Sequence, residues 1–153
     1  MATVCEAAGG EAGLLALARA WHERVMADEV VSHAFEHGYR ADHAERLAAY
    51  WVEALGGPPL YTGRYGDESF VVREHSGNGP HDEMNARAIA CFDAALTDVG
   101  LGADDPVRGV LHDYFAWATP VVNRFERSAD DVPEGLAIPR WSWDGLVQPP
   151  GAA

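Results

Sequence analysis

The chain has 153 residues, of which 48% are hydrophobic and 23% are charged, a balance typical of one globular domain. Its formal net charge of -13 at pH 7 argues against binding to nucleic acid or to an anionic membrane surface, because both need clustered lysines and arginines. No apolar run approaches the roughly 20 residues that span a bilayer and no signal peptide is recognisable, so we expect a cytoplasmic protein.

The first half of the chain predicts two long helices. Residues 11–27 carry apolar side chains at the spacing of one helix face, and a short apolar turn follows at 30–35. A second helix is predicted to begin at Asp42, which has the spacing of a capping box with Glu45. The run Gly56-Gly57-Pro58-Pro59 ends that helix.

The second half predicts two further helices. Residues 56–69 are rich in glycine and proline and predict a loop, and the segment 70–75 is too short to assign. A third long apolar stripe predicts a helix over 80–100. The last predicted helix covers 105–125, and Pro120 should bend it because proline removes a backbone hydrogen bond.

The C-terminal residues differ in composition from the rest of the chain. Residues 128–153 hold four of the nine prolines together with Trp141 and Trp143, which predicts an extended segment packed on the domain 1–127. No segment predicts a strand. The fold class is therefore all-α, with a domain at 1–127 and a C-terminal extension at 128–153.

Three of the seven histidines lie where a buried site is plausible. His22 and His43 lie on or beside apolar helix stripes, and His75 ends a short element between two long helices. Buried neutral histidines satisfied by hydrogen bonds fit the same pattern. As a set, they suggest one imidazole below and one or two above a flat cofactor such as haem, whose iron is commonly held by a single proximal histidine.

Haem carries two propionates, which need positive partners. Arg64 and Arg73 are the basic residues near His75 in the sequence, and with Tyr61 they are the candidates to bind the propionates. Solvated loop charges are the alternative interpretation of both arginines.

Over roughly residues 14–125 the chain resembles a truncated haemoglobin of the second group. The matching residues are Trp21-His22-Glu23-Arg24-Val25, Asp28-Glu29-Val30, Phe35, Ala44-Glu45-Arg46-Leu47, Gly56-Gly57-Pro58 with Tyr61, Gly66, His75, Cys91, and Asp113-Tyr114 through Asn123. The Gly-Gly-Pro run with its downstream tyrosine, followed by a histidine after a short segment, is the most specific part of the match.

The resemblance implies a truncated globin fold, which is a two-on-two helical sandwich around non-covalent haem b. It places His75 at the proximal iron ligand, Phe35 at an aromatic side chain that packs against haem, and Leu47 at an apolar distal contact.

The distal pocket departs from the family pattern. The resemblance places His43 where a small residue is usual, His22 where a tyrosine is usual, and Ala88 where a tryptophan is usual. Space opened at Ala88 would be filled by Trp51, by Phe92 or by a bound molecule. Because Glu74 replaces a usually basic residue, Arg73 becomes the more important candidate for a propionate.

Several functions are compatible with these residues. The first is a haem globin that binds oxygen or another diatomic gas, with His22 or His43 donating a hydrogen bond or acting as acid and base toward peroxide in an oxidoreductase. The second is a six-coordinate electron-transfer or sensor protein with His43 as sixth ligand. The third is a non-haem metal site on His22, His43 and His75. A small organic substrate, an unidentified electron donor, and assembly as a monomer or a homodimer are all compatible with the sequence.

Overall fold

The computed structural model describes residues 1–36 and 38–149, so the last four residues of the predicted extension 128–153 lie outside the described range. The described residues form seven α-helices, two short 3₁₀ turns and two short strands. Their bounds are α1 Val4–Ala7, α2 Gly10–Met26, a 3₁₀ turn at Val31–Phe35, α3 His43–Ala54, α4 Leu60–Arg64, α5 Glu68–Glu74, α6 Asp82–Asp98, α7 Pro106–Val122, a 3₁₀ turn at Ala129–Asp131, β1 Arg140–Ser142 and β2 Gly145–Gln148.

The four long helices form where the apolar stripes predict them. In α7, Pro106 holds the first position, the Asp105 carboxylate accepts a hydrogen bond from the Val107 amide at 3.0 Å, and the helix continues through Pro120. Helix α3 also begins where expected, but the predicted capping box is wrong. Asp42 makes no capping hydrogen bond, because its carboxylate accepts from Arg46 Nε at 3.0 Å instead.

The residues between α3 and α6 are more helical than the sequence predicts. The prediction of a loop over 56–69 is wrong at two places, since α4 lies inside it and α5 begins at its end. The Asp67 carboxylate caps α5 by accepting from the Phe70 amide at 2.9 Å. The segment 70–75, too short to assign from sequence, is the end of α5 with His75 directly after it.

The long helices build the predicted two-on-two sandwich. Helix α2 packs on α3 and α6, and α6 packs on α7. The centre of this core contains a stack of Phe92 on Phe115, with ring centroids 4.1 Å apart and planes 6° from parallel. Along the described part of the chain, no helix is long and apolar enough to cross a membrane.

The C-terminal segment contains strands that the sequence did not predict. Strands β1 and β2 pair antiparallel, with Trp141 opposite Leu146. Trp141 packs on the main core, 5.5 Å from the ring of Trp117. A second, smaller core joins the start of this segment to α5 through Val72, Val132 and Leu136.

Candidate functional site

His75 is held in one orientation by the helix that precedes it. Its Nδ1 lies 2.7 Å from the carbonyl oxygen of Val71, one turn back in α5. A carbonyl can only accept, so Nδ1 carries the proton and Nε2 keeps a free lone pair. This is the arrangement in which a histidine binds a metal.

The surroundings of His75 keep it neutral. The side chain is exposed to solvent, yet the protein around it desolvates the ring and lowers its pKa. The hydrogen bond to Val71 and the charge of Glu74 act in the opposite direction. A neutral imidazole with a free Nε2 is able to bind iron.

His22 and His43 come together although they lie on different helices. Their ring centroids are 5.4 Å apart. Burial lowers the pKa of His22, and burial followed by the charges of His22 and His75 lowers the pKa of His43 to about 4. His75 contributes to that shift, so its imidazole lies within electrostatic range of His43.

One nitrogen on each of these two histidines has no partner among the described residues. His22 Nε2 and His43 Nδ1 are both buried and make no hydrogen bond. Leaving a buried polar group unsatisfied costs about 1–3 kcal/mol, so each such atom calls for an explanation. Two of them on neighbouring rings are available to a small polar ligand.

Aromatic rings enclose this pair of histidines. The Phe35 ring lies 5.1 Å from His43 and 5.5 Å from His22, and its contact with a cofactor stays a prediction. The ring of Tyr39, which sequence reasoning missed, lies 4.4 Å from that of His22, and the residue is 51% exposed. Tyr39 follows a glycine in an irregular segment, so no periodic pattern signals its position.

The other predicted cofactor contacts divide between the core and its edge. Leu47 is partly buried against the main core. Trp51 is buried and packs on Phe92 with centroids 5.6 Å apart. Ala88 is buried, and its carbonyl oxygen accepts a hydrogen bond from Trp21 Nε1 at 3.1 Å.

The predicted propionate partners have other contacts. Arg64 forms an ion pair with Glu11 at 3.0 Å, and Arg73 forms one with Glu134 at 2.7 Å. Tyr61 is buried, with its ring 5.5 Å from that of Tyr50. The assignment of these residues to propionates stays a prediction.

Two further arginines were not among the predicted propionate partners. Arg40 pairs with Glu74, the neighbour of His75, at 2.9 Å, and its charge contributes to the low pKa of His43. Arg46 lies over the Tyr65 ring, 4.6 Å from its centroid. Both face a carboxylate as well, so neither was distinguishable in the sequence from an ordinary surface charge.

A non-haem metal site gains no support. Within residues 1–36 and 38–149, no group of three or more histidine, cysteine, aspartate or glutamate side chains is placed to hold a metal ion. His22 lies in α2, His43 is the first residue of α3, and His75 directly follows α5. The geometry of the described residues therefore adds no support to the third alternative.

Comparison with known proteins gives the family of the chain. The family model for the bacterial-like globins matches residues 3–113. The group 1 truncated haemoglobin GlbN of Synechocystis sp. is 29% identical over 106 residues, which are 68% of this chain and 83% of that protein.

Solved structures give the same fold. The haemoglobin of the actinobacterium Thermobifida fusca is 28% identical with a TM-score of 0.64, covering 79% of this chain and 96% of that one. The group II truncated haemoglobin of Bacillus anthracis is 20% identical with a TM-score of 0.67 and covers 84% and 95%, a likeness of fold alone. The resemblance to truncated haemoglobins is confirmed, and the chain belongs to the bacterial-like globin family.

Proposed function

We propose that this protein is a haem globin that binds oxygen or another small diatomic ligand, with non-covalent haem b held by His75. The observation that carries the proposal is the 2.7 Å hydrogen bond from His75 Nδ1 to Val71, which leaves Nε2 free to bind iron. Bound haem supplies an iron atom that reversibly coordinates a diatomic ligand. The other properties of the site depend on the side chains around the haem.

The residues present fit such a group. His75 provides one neutral nitrogen, and the unpartnered His22 Nε2 and His43 Nδ1 provide polar atoms on the other helices. Phe35 supplies an aromatic surface beside both distal histidines. Arg40, next to the Glu74 that precedes His75, is a further cation for a propionate.

The two distal histidines would hold the diatomic ligand by hydrogen bonding. Burial keeps the pKa of both below the ordinary value, so each imidazole is neutral at pH 7 and carries one N–H donor. Donation from His22 or His43 to the ligand would satisfy a nitrogen that has no partner in the described residues. This takes the place of the tyrosine and tryptophan donors that the family resemblance leads one to expect.

The same geometry favours a second function, a haem oxidoreductase of peroxidase-like or oxygen-activating type. With a pKa of about 4, His43 stays unprotonated near neutral pH and is able to accept a proton at Nδ1 from a peroxide O–H. An electron donor or a small organic substrate would complete the cycle.

His43 also gives a third possibility, direct ligation of iron as a sixth ligand. A neutral imidazole with an unpartnered nitrogen is a good ligand, and His43 Nδ1 has both properties. A low-spin spectrum without added ligand, lost in His43→Ala, would identify this state. A high-spin or water-bound spectrum favours the gas-binding form.

Absorption spectroscopy tests the main proposal. The purified protein, or the protein after addition of hemin, should show a Soret band that shifts when the ferrous form is exposed to carbon monoxide. A protein that stays colourless and leaves the hemin spectrum unchanged would overturn the proposal. Oxidoreductase activity is tested separately, by hydrogen peroxide consumption with a chromogenic phenol as electron donor.

A further inference from the structure

We propose that residues 125–136, here called the C-terminal clamp, fix α5 and so set the orientation of the His75 imidazole. The clamp lies beyond residues 3–113, where the family model matches. By backbone proximity, its 3₁₀ turn Ala129–Asp131 is the element that α5 approaches most extensively. The part of the inference that concerns iron rests on the proposed function.

The first tie is a buried hydroxyl. Ser69 is the second residue of α5 and is fully buried. Its Oγ donates a hydrogen bond to the Pro133 carbonyl oxygen at 2.7 Å. The same Oγ accepts from the Leu136 amide at 3.1 Å. A buried serine whose donor and acceptor are both used by one segment of chain holds that segment in a single position.

The second tie is apolar. Val72 is fully buried, and its cluster is completed by Val132 and Leu136 of the clamp, with Val122 and Phe125 packed against them. This cluster is separate from the main helical core. The buried face of α5 at Val72 is therefore covered by the clamp.

The third tie lies on the other side of His75. The Gly77 amide donates to the Phe125 carbonyl at 3.0 Å, and the Gly79 amide donates to the Glu126 carbonyl at 2.9 Å. Gly77 has a φ of +84°, a conformation that glycine adopts without strain. The chain is thus held to the clamp both before and after the histidine.

These ties matter because α5 is short. A helix of seven residues is marginal without tertiary contacts. The Val71 carbonyl that orients His75 lies between Ser69 and Val72, the two residues with the strongest ties. Loosening the clamp should let Val71 and the imidazole move together. We therefore assign Ser69 and Leu136 as positioning residues for His75.

The test compares four single variants of the full chain. Ser69→Ala and Leu136→Ala each remove one tie. Ser142→Ala is the matched hydroxyl control, since Ser142 Oγ donates to Gly145 and accepts from Asp144 within the hairpin, away from α5. Ile138→Ala is the matched apolar control, since Ile138 is buried in the main core.

Two measurements on the haem-free protein report on the clamp itself. Nitrogen-15 shifts of the His75 imidazole give the fraction with a proton on Nδ1, and amide hydrogen exchange gives the opening of residues 69–76. Ser69→Ala and Leu136→Ala should lower the Nδ1–H fraction and speed that exchange by about tenfold, the effect of losing one buried contact. The two controls should leave both readouts unchanged.

A third measurement reports on iron. In the hemin-loaded ferrous protein, resonance Raman spectra should show the iron–histidine stretching band broadened or shifted in the two clamp variants and not in the controls. If both clamp variants fold and keep the wild-type tautomer, exchange and band, the clamp has no positioning role. If wild-type protein takes up no hemin, the haem proposal fails, and the tautomer and exchange data still decide the clamp. Should Leu136→Ala fail to fold, the milder Ser69→Ala decides alone.

Discussion

The two sides of the site are organised in opposite ways. On the proximal side, His75 has a hydrogen-bond partner at Val71 and follows a helix that is itself tied down. On the proposed distal side, His22 and His43 each keep a buried nitrogen that has no partner among the described residues. The His75 imidazole is fixed by a backbone carbonyl. The unpartnered nitrogens of His22 and His43 are available to a ligand.

This difference separates two tasks. A metal ligand gains from a fixed tautomer and orientation, which the bond from Nδ1 supplies before any cofactor is present. Groups that hold a small polar ligand gain more from being unsatisfied, because an unpaired buried group costs about 1–3 kcal/mol that the ligand removes on binding. The contrast predicts which substitutions should abolish a property and which should only tune it.

The largest effect should come from His75→Gly. Removing the imidazole takes away the proposed iron ligand, so the iron–histidine stretching band should disappear. Haem loss should accelerate beyond the about 10–100-fold effect typical of residues that only support a ligand. Free imidazole, added at millimolar concentration, should restore the band by filling the space left by the side chain.

His112→Gly is the matched control, because His112 is a histidine paired with Asp93 on another part of the surface. It should behave as wild type in band position and haem loss. A normal iron–histidine band in His75→Gly would show that the iron ligand lies elsewhere.

The next largest effect concerns Glu68, the first residue of α5. Its side chain is 1% exposed, and Oε1 accepts a hydrogen bond from the Tyr50 hydroxyl at 2.7 Å. Burial raises the pKa of Glu68 from its ordinary 4.5 to about 7, against the lowering effects of Tyr50 and of Arg124. Below pH 4.5 the carboxyl is protonated in both the folded and the unfolded chain.

As the pH rises from 4.5 to about 7, the unfolded chain loses this proton while the folded chain keeps it, so the free energy of unfolding falls. The loss should reach about 3 kcal/mol above pH 7. Glu68→Gln should remove it while keeping an acceptor for Tyr50. Urea unfolding of the haem-free protein between pH 4.5 and 8 measures the slope.

Glu53→Gln serves as the control for that titration, since Glu53 is also buried and accepts two hydrogen bonds from Thr62. It should leave the slope attributed to Glu68 in place. An unchanged slope in Glu68→Gln would mean that Glu68 is not the group that titrates. The buried carboxyl group of α5 would then not change its charge over this pH range.

On the distal side, the expected effects are graded. His22→Leu and His43→Leu remove hydrogen-bond donors that each should be worth up to about 1.5–3 kcal/mol toward a polar ligand. The oxygen dissociation rate should rise about 10–100-fold, most in the double variant, while the carbon monoxide dissociation rate should change far less. Stopped-flow ligand displacement gives both rates.

His33→Leu is the comparison variant, because His33 is exposed and its Nδ1 lies near Glu36 at 3.4 Å. It should leave oxygen dissociation unaltered. If neither distal substitution changes the oxygen rate, the unpartnered nitrogens hold no ligand, and the contrast between the two sides fails.

The sequence predicts the long helices well, because apolar periodicity is a local signal, and the roles of the three central histidines stay a prediction. Apolar stripes of 12–17 residues identify α2, α3, α6 and α7. Helices α4 and α5, with five and seven residues, are too short for a stripe to be recognised. Strands β1 and β2, with three and four residues, show no alternation of buried and exposed side chains.

What the sequence misses depends on contacts between distant residues. Nothing in the local sequence distinguishes Ser69, because its partners Pro133 and Leu136 lie 64 and 67 positions away along the chain. In the sequence Arg40 looks like an ordinary surface charge. In the structure it pairs with Glu74, the residue before His75. Such pairings follow from the tertiary fold, and no spacing within one segment encodes them.

The smallest predicted effect concerns Tyr39, which packs against His22. Tyr39 is half exposed and lies edge-on to His22 at 4.4 Å, so its ring shields that imidazole from water on one side. Tyr39→Ala should lower the free energy of unfolding by about 1 kcal/mol, the value of one aromatic pair, and should let the pKa of His22 return toward its ordinary value as desolvation weakens. Tyr39→Phe keeps the ring and should change neither quantity, as urea unfolding and NMR titration of His22 would show. An equal effect in Tyr39→Phe would mean that the hydroxyl matters, and the distal histidines would then have a polar neighbour of their own.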